Sequence, residues 1–79
     1  MLRVELQVYG EISYFIPGAK HGQVFELDLP QGATIGTALE QLGIPRTMFG
    51  LFLKGRHVTV DKTLNPGDRV YLLEALNGG

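Results

Sequence analysis

The clearest helix in this chain is short, and both its ends are marked. Thr34 stands as an N-cap before Ile35, Ala38, Leu39 and Leu42, which recur at i, i+3, i+4 and i+7 on one face. Gly43 occupies the C-cap position, and Pro45 forbids continuation soon after. The segments around this helix read as strands. Leu2, Val4, Leu6 and Val8 alternate with Arg3, Glu5, Gln7 and Tyr9, the period of a half-buried strand with one solvated face. Val24 to Leu29 gives a second strand, with Phe25, Leu27 and Leu29 inward, closed by Pro30-Gln31-Gly32.

Between these two strands, residues 10–22 form a connection, with one helical turn expected around Ile12 to Ile16. Beyond the helix, Leu51 to Leu53 and Val58 to Val60 are short strands around a polar turn, Lys54-Gly55-Arg56-His57. Asn65-Pro66-Gly67-Asp68 is a further turn, within which the Asp68 carboxylate is expected to bond to backbone. Val70 to Leu73 is the last strand. The order strand, strand, helix and then several strands predicts an α+β domain of two layers, one sheet with one helix on its inner face. Residues 1–73 make the domain and 74–79 a flexible C-terminal tail.

At 79 residues the chain has room for a single core, and 44% hydrophobic with 19% charged residues suits a small globular domain. Seven Lys+Arg against eight Asp+Glu leave a net charge of −1, so no excess of positive charge points to nucleic acid or anionic lipid. The lack of cysteine excludes disulfides, thiolate zinc sites and a Cys nucleophile, and it fits a cytoplasmic protein. No apolar run has the length of a membrane span, and Met1 to Glu5 lacks the apolar stretch of a signal peptide. His21 and His57 stand apart without further ligand-type neighbours, so they are expected to be solvated loop residues and no metal is expected. Glu11, Glu26, Asp28 and Glu40 are dispersed, with no spacing that suggests paired-carboxylate catalysis. An independent enzyme is therefore not expected.

Three segments carry a family resemblance: Gln31 to Leu39 as a helix entry after the second strand, Leu64 to Leu73 as a turn, Gly-Asp and strand unit, and Gly78-Gly79 at the end. Together they resemble the β-grasp, ubiquitin-like sulfur carriers, namely the small subunit of molybdopterin synthase and the sulfur carrier of thiamine thiazole synthesis. The resemblance implies a mixed β-grasp sheet with one main helix packed on one face. It also implies that a ubiquitin-activating-type adenylyltransferase uses ATP to adenylate the terminal carboxylate, which then becomes a thiocarboxylate. Gly79 would bear the sulfur and Gly78 would precede it in the partner's channel. Glycines lack Cβ and can thread a narrow cleft. Extended, the six residues from Glu74 to Gly79 reach about 20 Å.

A larger catalytic subunit would accept this tail, and the carrier itself would bind no cofactor. Length favours the molybdopterin type over the shorter thiamine carriers. Lys54-Gly55 and Glu74-Ala75 stand where the molybdopterin type often has Asn-Gly and two prolines. A ubiquitin-like modifier, joining Gly79 to a target lysine by an isopeptide bond, is the rival from another class. A β-grasp interaction module with an inert tail is a third. Partner contacts are expected at Phe52, Tyr71 and Leu73 on the open face of the sheet and at Leu76 and Asn77 in the tail. Lys54, Arg56, Lys62 and Arg69 are candidates for a basic rim near the tail.

Overall fold

A computed structural model describes residues 1–10, 16–46 and 49–74. Six elements follow in order: β1 (Leu2–Tyr9), β2 (Gln23–Leu29), α1 (Ile35–Leu42), β3 (Phe49–Leu53), β4 (Arg56–Val58) and β5 (Arg69–Glu74). The strands form one sheet in the order β2-β1-β5-β3-β4. The central pair, β1 and β5, is parallel, and the remaining pairs are antiparallel. This is the mixed α+β, β-grasp arrangement expected from the sequence.

The alternation along β1 becomes the inner face of the sheet. Leu2, Val4, Leu6 and Val8 are buried, as are their neighbours Leu27, Leu29, Val70, Leu72, Leu51 and Leu53. Helix α1 covers this face with Ile35, Ala38 and Leu39, all within the same core cluster. Phe25, on the edge strand β2, is only half-buried but packs against that cluster.

The ends of the helix are held as the sequence predicts. The Thr34 hydroxyl accepts from the Thr37 N–H at 3.3 Å, and the Thr37 hydroxyl accepts from the Thr34 N–H at 3.3 Å, a reciprocal capping box. The next donors of the first turn are taken by a loop: Ile35 N–H bonds to the Lys62 carbonyl and Gly36 N–H to the Val60 carbonyl. Gly43 sits at φ +77°, which lets Ile44 N–H return to the Leu39 carbonyl at 2.9 Å.

Several boundaries differ from expectation: β2 starts at Gln23 rather than Val24, β3 at Phe49 rather than Leu51 and β5 at Arg69 rather than Val70. The β3–β4 turn is only Lys54-Gly55, and β4 is Arg56–Val58 rather than 58–60. Both turn residues have positive φ, +54° at Lys54 and +78° at Gly55, as a tight two-residue hairpin demands. Lysine rarely adopts that conformation, so Lys-Gly does not read as such a turn. Val60 lies beyond the strand because its carbonyl is committed to the helix. Strand β5 continues one residue past Leu73, with Glu74 opposite Phe49, so pairing runs to the last described residue. Most of the expected helical turn, residues 12–15, lies outside the described residues, as do Leu76, Asn77, Gly78 and Gly79.

Replacing Thr34 with Ala removes the acceptor for Thr37 N–H and is expected to cost about 1 kcal/mol, read as a lower urea midpoint at unchanged slope.

Candidate functional site

The face of the sheet away from α1 divides into a charged end and an aromatic end. At the charged end Arg3 pairs with Asp28 across β1 and β2, with Nε to Oδ1 at 3.0 Å. Arg69 at the start of β5 pairs with Glu5 at 2.8 Å. The hydrogen bond from Arg3, followed by its charge, holds the Asp28 carboxyl below its usual value. The bond to Glu5 is the main cause that raises the Arg69 guanidinium.

At the other end the registers bring aromatic residues together. Tyr71 lies opposite Gln7 on β1 and Phe52 on β3, and Leu73 lies opposite Tyr9 and Gly50. The Tyr9 and Tyr71 rings stack at 6.5 Å with an interplanar angle of 14°. Phe52 meets His57 of β4 edge-on at 5.3 Å, and Tyr9 meets His21 edge-on at 5.3 Å. A Cβ on Gly50 would lie 3.3 Å from the Phe52 ring, so the missing side chain leaves room for that ring to lie along the strand. Phe52 and Tyr71 are half-buried, and Leu73 is 40% exposed.

The outward assignment of Phe52, Tyr71 and Leu73, with Val70 and Leu72 inward, therefore agrees with the geometry. Tyr9 joins them because β1 and β5 pair in parallel, which periodicity within either strand does not reveal. Both histidines are exposed; His21 stands in a turn as expected, whereas His57 is in a strand rather than a loop. His57 is in β4 against Phe52, and the His21 Nδ1 accepts from the Gly10 N–H at 2.9 Å.

The patch lies at the end of the sheet where β5 finishes. Gly10, the residue after β1, has φ +124°, and a Cβ there would lie 2.7 Å from the Glu74 Cβ. Gly22 N–H bonds to the Val8 carbonyl, which draws the end of the 10–22 connection onto the same corner. The expected basic rim is not at this corner. Arg69 begins β5, and Lys54 follows Leu53, which pairs with Val70, so both stand at the opposite end of the strand, about 13–16 Å from Glu74. The order of strands around β5, which decides this, has no local signal. Asp68 does what its turn requires: 6% exposed, its Oδ2 accepts from the Asn65 N–H at 2.8 Å.

Among the described residues no group of three or more His, Asp or Glu is placed to hold a metal, and no helix is long and apolar enough to cross a membrane.

A five-stranded mixed sheet gripping one helix, with the last strand beside the first, defines a ubiquitin-like β-grasp protein. Solved structures share this fold over nearly whole chains. Small archaeal modifier protein 1 of Haloferax volcanii matches with a TM-score of 0.75 at 14% identity, covering 96% of this chain and 100% of its own. A Pyrococcus furiosus protein described as molybdopterin converting factor, subunit 1, matches with 0.72 at 18% identity, covering 96% and 100%. The ubiquitin of Caldiarchaeum subterraneum matches with 0.61 at 20% identity, covering 99% and 98%. No curated protein matches the sequence. The family model of the Mut7-C ubiquitin matches residues 1–73, and the chain belongs to that family.

Substituting Gly10 with Ala forces a side chain into a left-handed position against Glu74 and is expected to destabilise the fold by about 1–3 kcal/mol, measured by urea denaturation.

Proposed function

We propose that this chain is a sulfur carrier, acting by adenylation of Gly79 and conversion of its carboxylate to a thiocarboxylate. The observation that carries the reading is the junction of patch and tail: Tyr71 and Leu73 stand on the strand that runs directly into the segment ending in Gly78-Gly79. A partner that docks on Phe52, Tyr71 and Leu73 meets the base of the tail at once, and Leu76 and Asn77 extend the contact toward Gly79.

A carboxylate is ionised at neutral pH and is a poor acyl donor. Its oxygen attacks the α-phosphorus of ATP, and pyrophosphate leaves. The resulting acyl adenylate then loses AMP to a sulfide-level sulfur nucleophile, which leaves sulfur on Gly79. The activating partner is a ubiquitin-activating-type adenylyltransferase, which supplies ATP and the catalytic groups. The acceptor is the larger subunit of a synthase, with molybdopterin synthesis favoured by chain length and by the fold shared with the Pyrococcus furiosus protein. The thiamine carrier role is the alternative within the same chemistry. The carrier itself holds no cofactor, is not an enzyme, and works in the cytoplasm.

A second reading, a protein modifier that forms isopeptide bonds through Gly79, is favoured by the fold shared with the Haloferax modifier and the Caldiarchaeum ubiquitin. Intact mass spectrometry of the protein from its native host separates the two. Exchange of one oxygen for sulfur, localised to the C-terminal peptide and so distinct from oxidation of Met1 or Met48, establishes the carrier. An unmodified tail with lysine-linked conjugates at higher mass establishes the modifier.

Gly79→Ala is expected to fold normally and be poorly adenylated; unchanged sulfur transfer would refute the role of Gly79. Tyr71→Ala is expected to lower affinity for the adenylyltransferase about tenfold at near-normal stability, read by isothermal titration calorimetry.

A further inference from the structure

The chain has seven Lys and Arg side chains, and among the described residues three of them form ion pairs: Arg3 with Asp28, Arg46 with Glu40 and Arg69 with Glu5. Of the other four, Lys54, Arg56 and Lys62 gather around one concavity of about 190 Å³ where β3 turns into β4. None of the three forms an ion pair among the described residues. Leu53 and Val58 give the hollow apolar lining, and Asn65 and Asp68 complete the wall. Like charges that share one hollow repel, and against these three cations the lining holds a single carboxylate, Asp68, whose Oδ2 is engaged by the Asn65 N–H, so the hollow keeps an excess of positive charge.

We propose that this hollow binds an extended acidic segment of a partner protein, with an apolar side chain seated on Leu53 and Val58 and carboxylates at Lys54, Arg56 and Lys62. The composition of the lining selects this occupant. The three cations draw negative charge, while the Asp68 carboxylate in the wall repels a compact dianion such as phosphate seated deep in the hollow. A peptide separates its apolar and charged groups along its length, so it satisfies the cations without forcing an anion onto Asp68.

The site is distinct from the tail and its patch. Leu53 pairs with Val70 and Phe49 with Glu74, so the hollow lies about 13 Å along β5 from the last described residue. A partner that used both would hold the domain at the two ends of its last strand. The proposal does not depend on the chemistry at Gly79, and deleting Gly78-Gly79 leaves the hollow intact.

The test uses a fluorescein-labelled peptide of alternating glutamate and leucine, its lysine–leucine counterpart, and the full chain. Fluorescence anisotropy is expected to show binding of the acidic peptide only, weakening with added salt. Amide NMR shifts are expected within residues 53–58 and 62–68. Lys54→Glu combined with Arg56→Glu, both exposed and without ion-pair partners among the described residues, is expected to lower affinity about tenfold at unchanged melting temperature. Lys62→Glu gives an independent reduction, and the chain lacking Gly78-Gly79 binds as the full chain does. Unchanged affinity in the double variant overturns the proposal. So do shifts confined to the face of Tyr9, Phe52 and Tyr71, or equal shifts with inorganic phosphate, which would mark a simple anion site.

Discussion

The parallel pairing of β1 with β5 is the constraint on which the rest of the molecule depends. It joins the first and last strands at the centre of the sheet, with Leu6 beside Val70 and Val8 beside Leu72. All four are fully buried, so a slip of one residue would turn the apolar side of β5 toward solvent. A parallel connection needs a crossover. Here the whole middle of the chain provides it, carrying α1 over the inner face. The same register lays Tyr71 near Tyr9 and brings Glu74 against Gly10. Core, outer patch and tail base thus follow from one pairing.

The first half of the fold was legible because its signals are local. The alternation from Leu2 to Tyr9, Thr34 at the helix start and Gly43 at its end each report on their own neighbourhood, and the observed bounds of β1 and α1 match them. The hairpin at Lys54-Gly55 was less legible, since a lysine at positive φ gives no turn signal and Arg56 and His57 read as turn residues. For the site, inward and outward sides of β3 and β5 followed from alternation, which placed Phe52, Tyr71 and Leu73. What alternation cannot supply is the neighbour of each strand. Tyr9 and His57 therefore carry no sequence signal as parts of the aromatic surface, and the expected basic rim stands at the other end of β5.

The open face separates its chemistry along the strands. Where Arg3, Glu5, Asp28 and Arg69 meet, the four charges pair among themselves. Toward the end of β5 the face carries rings and Leu73, which gain most when another surface removes them from water. Charged groups beside an apolar patch also limit how a second surface can be oriented on it. The absence of a side chain at Gly50 belongs to the same arrangement, because it lets Phe52 lie flat enough to broaden the patch.

The direction of the strands has a mechanical consequence. β1 and β5 run the same way, with β1 entering the sheet at one end and β5 leaving it at the other. Tension applied between the start of β1 and the segment after Glu74 acts along the ladder, so its hydrogen bonds share the load and resist shearing together. An antiparallel pair pulled from adjacent ends would instead open one bond at a time, like a zip. A partner can therefore draw on the segment after Glu74 while the core stays closed.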